Sequence, residues 1–275
     1  MSNYDPTIYQ GTAAYYTRGR PPYTRTLAAV LTAELGLDGA GRLLDVGCGP
    51  GILTVELAGL FEQAIGLDPD AEMLAEGARR AAEVGSANIH WIQARGEDIP
   101  TLELGSFRLA TFGQSFHWMD REQVAEAVYD ILEPGGALAL LDHEPEGGPR
   151  PAGPGYPLIP HEAIRALIER YLGPRRRAGQ GFASWSEERH EHFIARSRFG
   201  ALRRVYAPGR PDIVRNVDEV LANYFSMSYA APHLFGDKRA EFAAAVRAAL
   251  ARQSPSGRFW DWPGDTEILL AVKPG

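Results

Sequence analysis

The stretch Leu43-Leu44-Asp45-Val46-Gly47-Cys48-Gly49-Pro50-Gly51 runs a short apolar segment into three glycines spaced two residues apart. Arg42 to Val46 has the length and apolar continuity of a strand buried in a parallel sheet. The glycines at 47, 49 and 51 allow a sharp turn and leave bare backbone where side chains would block a ligand. Ile52 to Phe61 then returns to helical spacing, with Leu53, Leu57 and Leu60 on one face. The turn therefore lies at the mouth of a helix, where unpaired amides favour a polar ligand. A dinucleotide-binding G-x-G-x-x-G turn would require Gly or Ala at position 52, which is occupied by the bulkier Ile52.

The flanking chain repeats this alternation. Tyr23 to Leu35 is amphipathic, and Ala64 to Leu67 reads as a second strand ending at Asp68. Asp70 is a helix cap for a segment running to Val84. Asn88 to Gln93 and Phe107 to Gly113 read as the third and fourth strands, with a helix over Asp120 to Leu132. Pro134-Gly135-Gly136 reads as a turn into a fifth strand, Ala137 to Asp142. Such alternation predicts a parallel sheet covered by helices. Glu146 to Pro160 is crowded with Gly and Pro and marks an insertion boundary. Beyond it, helices are predicted over His161 to Leu172, Glu187 to Arg198, Val217 to Tyr229 and Asp237 to Arg252, and strands over Ala201 to Ala207 and Thr266 to Lys273. The expected organisation is a ligand-binding core with an N-terminal helical cap over 1–145, a helical insertion acting as a lid over 146–200, and completion of the sheet with further helices over 201–275.

Composition narrows the function. The 275 residues carry a net charge of −7, which disfavours a polyanion such as nucleic acid as partner. Arg175, Arg176 and Arg177 form a short basic run that reads as a solvated loop or helix end. Cys48 is the only cysteine, so no intrachain disulfide forms, and no segment has the length and apolarity of a membrane span. A cytoplasmic, membrane-free protein is the expectation, with oligomeric state unread. No metal site is expected.

With these elements in place, Asp45, Gly47, Gly49 and Gly51 match an acidic residue followed by G-x-G-x-G after the first strand. In this the sequence resembles the class I S-adenosylmethionine (SAM) dependent methyltransferases. The resemblance implies an α/β, Rossmann-like doubly wound seven-stranded sheet with a helical insertion or lid, and SAM as cofactor. It implies that the glycine loop lies against the methionine part and ribose of SAM. It also implies that an acidic residue ending the second strand, Asp68 here, holds the ribose hydroxyls. On local sequence alone, Asp68 before Pro69 could equally be a turn residue. By the same resemblance, Pro69, Met73 and Arg95-Gly96-Glu97 join the cofactor set, with Arg95 standing where an Asp is common. That departure shifts adenine recognition to backbone groups of Arg95 and Gly96 or to Asp98.

Gly113-Gln114-Ser115-Phe116-His117-Trp118-Met119-Asp120 follows the fourth strand, whose end faces the ligand crevice. It resembles the Q-x-x-H-W-x-D segment of a branch that includes trans-aconitate methyltransferases, and brings Gln114 into the cofactor set. Tyr16-Thr17-Arg18-Gly19-Arg20-Pro21-Pro22-Tyr23 resembles that branch's Y-x-x-x-R-P-x-Y element, which helps close over SAM. Tyr16 and Arg20 are its candidates, the guanidinium being able to pair with the methionine carboxylate.

Methyl transfer from a sulfonium demands alignment and exclusion of water more than a strong base. His117 and, after the fifth strand, His143 beside Glu144 are the candidates for a base, with packing and loop positioning as the alternative for each. The run at 113–116 lacks the Asn/Asp-Pro-Pro-aromatic element of nucleobase and amide methyltransferases. The expected partner is therefore a small-molecule acceptor methylated at oxygen, either hydroxyl or carboxylate. N- or C-methylation, a SAM-binding protein without transfer, and a dehydrogenase with an aberrant fingerprint remain the alternatives. Trp185, Phe193, Tyr224, Phe225 and Tyr229 suggest an apolar lid, although aromatics at helical spacing more often form core.

Overall fold

Arg42–Val46 forms strand β1, and all of it beyond Arg42 is buried. In a computed structural model of the chain, which describes residues 5–143, 150–182 and 188–275, β1 is central in a seven-stranded sheet. Its parallel neighbours are β2 (Gln63–Asp68) and β4 (Phe107–Gly113). Leu43 points into one apolar layer and Leu44 and Val46 into the other, the alternation expected of a strand covered on both faces.

The sheet order is β3-β2-β1-β4-β5-β11-β8, with β3 Ile89–Gln93, β5 Leu132–His143, β8 Arg203–Ala207 and β11 Thr266–Val272. Strands β1 to β5 run parallel, whereas β11 is antiparallel to both β5 and β8. This is the doubly wound seven-stranded sheet of the class I methyltransferase fold. The order reverses between β1 and β4, so the crevice lies above their carboxyl ends.

Helices α2 (Leu27–Leu35) and α3 (Ile52–Leu57) cover one face through Leu27, Leu31, Leu53 and Leu57. Helix α5 (Arg121–Ile131) covers the other through Val124 and Val128. Helix α4 (Ala71–Val84) is capped as its sequence predicts: the Asp70 carboxylate accepts from the amides of Glu72 and Met73, and Gly85 at φ 73° ends it. One expectation is corrected. Pro134-Gly135-Gly136 is not a turn before the fifth strand but lies inside β5 as a bulge, since the pairing steps from Leu132 to Ala137 on β5 while β4 advances only from Phe107 to Leu109.

Over the carboxyl ends of the strands sits a third apolar cluster built from α6 (His161–Leu172), α8 (Val217–Phe225) and α9 (Arg239–Gln253) around Phe235, Phe242 and Phe259. Helix α1 (Ala13–Gly19) packs against α8. A hairpin of β6 (Arg177–Ala178) and β7 (Gly181–Phe182) follows α6. Helix α7 (His190–Arg196) instead joins the core layer through Ile194 against α5. Strands β9 (Val214–Asn216) and β10 (Arg258–Trp260) pair antiparallel beside the cluster. The expected lid residues 146–200 thus contribute α6 to the roof and α7 to the core. Trp185 and Glu144 lie outside the described residues.

Candidate active site

Above the glycine turn the backbone carries the site. Gly47 and Cys48 donate their amides to Leu67 O at 2.7 and 3.1 Å, and Gly49 N donates to Asp68 Oδ2 at 2.8 Å, tying the turn to the end of β2. Gly49 adopts φ 53°, and a Cβ there would project into open space, so this glycine leaves a bare cradle. Gly47 is crowded instead: a Cβ would lie 2.7 Å from Ser115 Cβ and 2.9 Å from Met119 Cε.

Two neighbouring cavities share part of their lining here. The first, about 480 Å³, is lined by Gly47, Gly49, Asp68, Pro69, Met73, Arg95, Gly96 and Glu97 together with Tyr16, Gln114 and His117. Tyr9, Trp118 and Met119 complete its walls, and Asp5, Ala178 and Phe182 bring the N-terminal segment and the β6–β7 hairpin against it. The second, about 620 Å³, holds Arg20, Tyr23, Asp45 and His143 near the sheet and Leu158, Tyr224, Tyr229, Trp260 and Trp262 in the roof. Tyr16, Gly47, Gly113 and Gln114 line both. At this junction Gln114 has φ 53°, the only positive value at a non-glycine among the described residues. Backbone strain of this kind persists where the surroundings enforce it, as in functional sites.

The predicted cofactor residues thus divide. Tyr16, Gly47, Gly49, Asp68, Pro69, Met73, Arg95, Gly96, Glu97 and Gln114 surround the first cavity. Arg20 and Asp45 line only the second. Gly51 lines neither: it caps α3, and a Cβ there would come within 2.3 Å of the Trp91 ring. The two histidines also separate, His117 to the first cavity and His143 to the second. The sequence reading missed Tyr9, Trp118, Tyr23 and the roof aromatics Trp260 and Trp262. Tyr23 and Trp118 fall inside quoted motifs. The others reach the site only through long-range packing, which no local pattern announces.

Burial sets the protonation of the site. Asp45 is pushed up to about 6 by desolvation, against hydrogen bonds from Thr54 Oγ1 at 2.5 Å and Thr111 Oγ1 at 2.9 Å. Asp68 is likewise raised to about 6 by desolvation, offset by the amides of Asp70 and Gly49. His117 falls to about 3 and His143 to about 4, in both cases first from desolvation, then from His190 and Arg121 for His117 and from Arg20 for His143. Both rings are neutral at physiological pH. Glu97 accepts from Asp120 N at 2.9 Å and pairs with Arg95 at 3.2 Å, while Asp98 Oδ2 accepts from Arg95 N at 2.9 Å, fixing the loop after β3. The arginine run does not simply extend into water: Arg175 stacks on Phe182 at 3.9 Å and Arg176 on Tyr229 at 4.3 Å.

The first cavity fits SAM by its chemistry: an open backbone cradle at Gly49, a buried carboxylate at Asp68 for ribose hydroxyls, and apolar walls at Met73 and Met119. Its size suits a small-molecule site of about 300–1,000 Å³.

The seven-stranded sheet with its glycine turn is the fold of class I SAM-dependent methyltransferases. In keeping with this, residues 43–136 match a family described as a methyltransferase domain. The chain is 35% identical over 142 residues to a malonyl-[acyl-carrier protein] O-methyltransferase of Enterobacter lignolyticus, covering 49% of this chain and 54% of that protein. It is 29% identical over 130 residues to a protein of Saccharomyces cerevisiae described as a probable S-adenosylmethionine-dependent methyltransferase, CRG1, covering 46% of this chain and 44% of that one. The chain thus spans about half the length of the curated relatives it matches. The fold is shared with the crystal structure of the YcgJ protein of Bacillus subtilis at TM-score 0.52 and 15% identity, over 90% of this chain and 98% of that one. Among the described residues no helix is long and apolar enough to cross a membrane.

Proposed function

We propose that the chain transfers a methyl group from SAM to an oxygen of a small molecule, the first cavity taking SAM and the second the acceptor. The observation that carries this reading is that the two cavities share Tyr16, Gly47, Gly113 and Gln114 in their lining, because in-line displacement needs donor and acceptor side by side. When bound, SAM supplies an electrophilic methyl group on a sulfonium. Asp68 accepts from the ribose hydroxyls, Met73 and the Arg95–Glu97 loop receive the adenine, and Gly47 and Gly49 bring bare backbone against the ligand. Arg20, which lines only the second cavity, reaches the methionine end from beside Tyr16, which lines both. Its guanidinium stacks on Tyr16 at 4.8 Å, donates to Ser226 O at 3.3 Å and has no carboxylate partner among the described residues, so a ligand carboxylate completes it.

The aromatic roof of Tyr224, Tyr229, Trp260 and Trp262 excludes water and favours a compact acceptor over a polymer. The O-methyltransferase among the relatives agrees with an oxygen acceptor, and the Q-x-x-H-W-x-D run supports the trans-aconitate methyltransferase-like branch. His143 is the acceptor-side histidine. His117 packs on Trp118 with centroids 5.0 Å apart and orders the cofactor wall.

The test is incubation with methyl-labelled SAM and a metabolite library, read by mass spectrometry, alongside calorimetry with S-adenosylhomocysteine (SAH) and with NAD. A labelled oxygen-linked product and selective SAH binding are expected. SAH binding with no labelled product from any acceptor would instead favour a SAM-binding protein without transfer. Failure to bind SAH would sink both readings. At saturating SAM and acceptor, His117→Ala is expected to keep turnover within about fivefold of the parent, since a ring so far below neutral is a weak base; a loss of about a hundredfold or more would reinstate His117 as the base.

A further inference from the structure

Arg175-Arg176-Arg177 lines neither of the two cavities, yet the run lies between them. Successive side chains of an extended segment point to opposite sides, and the three guanidinium groups follow that rule. Arg175 and Arg177 lie over one ring, Phe182, at 3.9 and 5.0 Å from its centroid, whereas Arg176 lies over Tyr229 at 4.3 Å. The two rings belong to different cavities: Phe182 lines the cofactor side and Tyr229 the acceptor side. Arg176 also lines a further cavity of about 550 Å³ together with His117, a residue of the cofactor wall.

The hairpin that follows the run is held by few contacts. Strands β6 and β7 pair with each other over two residues each, and no ladder joins them to the seven-stranded sheet. An element with so little backbone pairing opens at low cost. Its anchor lies on the cofactor side, where Gln180 N donates to Asp5 Oδ2 at 2.8 Å and to Thr7 Oγ1 at 3.1 Å. Gly179, at φ 57°, passes so close to this anchor that a Cβ would lie 2.2 Å from Asp5 Oδ2. Ala178, Gly181 and Phe182 then line the cofactor cavity. On the acceptor side, Tyr229 packs against the roof cluster from a turn after α8. Two amides of that turn are paired, Met227 N with Tyr224 O and Ala230 N with Met227 O, each at 3.0 Å.

Resting on the proposed methyltransferase reading, we infer that Arg176 is a positioning residue that couples the two cavities. SAM or SAH orders the β6–β7 hairpin, and Arg176 carries that order to Tyr229, so the acceptor roof closes on the cofactor-loaded protein. The coupling is reciprocal: an acceptor that orders Tyr229 tightens the cofactor side by the same factor. A different contact also links the cofactor end to the roof, that of Arg20 with Ser226 O, and the experiment separates the two routes.

Amide hydrogen exchange is followed on the parent, Arg176→Ala and Arg176→Lys, each with and without SAH. In the parent, SAH is expected to slow exchange in the glycine turn at 47–52, in the hairpin at 178–182 and in the turn at 227–231. One cation–ring contact at an exposed site supports a coupling of about two- to fivefold, so the slowing at 227–231 should fall in that range. In Arg176→Ala the first two regions are expected to respond to SAH as before, while 227–231 no longer responds. Arg176→Lys keeps a cation able to sit over the ring and should restore part of the response. Arg176 is exposed, so both variants should melt within about 2 °C of the parent. An undiminished response at 227–231 in Arg176→Ala overturns the inference and assigns the signal to Arg20 and Ser226. A parent in which SAH slows 47–52 but leaves either 178–182 or 227–231 unchanged overturns it as well. Failure of the methyltransferase reading has a different signature: SAH slows exchange nowhere and gives no heat on titration.

Discussion

At the scale of single residues, Asp68 does two things that pull in opposite directions with pH. Its raised value near 6 means that the folded, unliganded protein holds a proton there more tightly than the unfolded chain does. The fold therefore gains from Asp68 below the usual carboxylate range and loses that contribution as pH rises through about 6. Ribose hydroxyls, by contrast, need the ionised acceptor, so SAH affinity is expected to be level above about pH 7 and to fall as pH drops through 6. Asp68→Asn is expected to remove that pH dependence and to weaken SAH binding by about ten- to a hundredfold. The amide keeps one oxygen for the Gly49 or Asp70 amide, so stability shifts by no more than about 1–2 kcal/mol. Calorimetric titration with SAH across this pH range checks it, and an affinity that still falls in acid in Asp68→Asn would assign the titration to another group.

At the scale of elements, the glycines of β2, α3 and α4 share one neighbour. Cβ atoms at Gly51, Gly66 and Gly77 would come within 2.3, 2.6 and 2.8 Å of the Trp91 ring on β3. A rigid indole touched from three elements cannot retreat from any one of them. Gly77→Ala in the middle of α4 should gain about 1 kcal/mol from helix propensity, but overpacking typically costs about 1–3 kcal/mol, so net destabilisation is expected. Pairing it with Trp91→Leu should turn the sign of the Gly77→Ala effect; denaturant melts of the four proteins test this, and a stabilising single Gly77→Ala would refute the packing argument. Here the limits of reading the chain become physical. Strands β1 and β4, the Asp70 cap and α6 were legible end to end because local periodicity and capping chemistry specify them. Gly51 was legible as the third glycine of the turn but not as a slot for Trp91, since that contact joins residues far apart in sequence. The same holds for the site. The first cavity was legible through motifs on consecutive strand ends, whereas the acceptor cavity draws its roof from segments around 160, 224, 229 and 260 that meet only on folding. Pro134-Gly135-Gly136 misled because those residues suit a bulge as well as a turn.

At the scale of the molecule, a buried ion pair beside the roof holds the N-terminal segment in place. Arg215 on β9 is 5% exposed, donates from Nε to Asp261 Oδ2 at 2.7 Å and from Nη1 to Gly19 O at 2.6 Å. Gly19 in turn lies so close to α8 that a Cβ would be 2.2 Å from Asn223 N. The segment thus anchored carries Tyr16 and Arg20 between the cavities, while its earlier part closes the cofactor side: Asp5 Oδ2 accepts from Gln180 N at 2.8 Å, and Tyr9 meets the Trp118 ring edge-on at 5.9 Å. Losing the arginine should therefore act on stability and on both cavities. Arg215→Met leaves the Asp261 carboxylate buried without its partner, a loss of about 3–5 kcal/mol, or roughly 6–20 °C in melting temperature for a chain of this size. Arg215→Met combined with Asp261→Leu removes the stranded charge, so most of that stability should return. The tether to Gly19 does not return with it, and acceptor and SAH affinities should stay reduced in the double variant. Thermal melts and SAH calorimetry on the parent, the single and the double variant separate the two effects. Recovery of stability together with full SAH affinity would mean that the segment is positioned without Arg215, and a single variant that melts within about 2 °C of the parent would show that the pair contributes little to holding the roof and the N-terminal segment together.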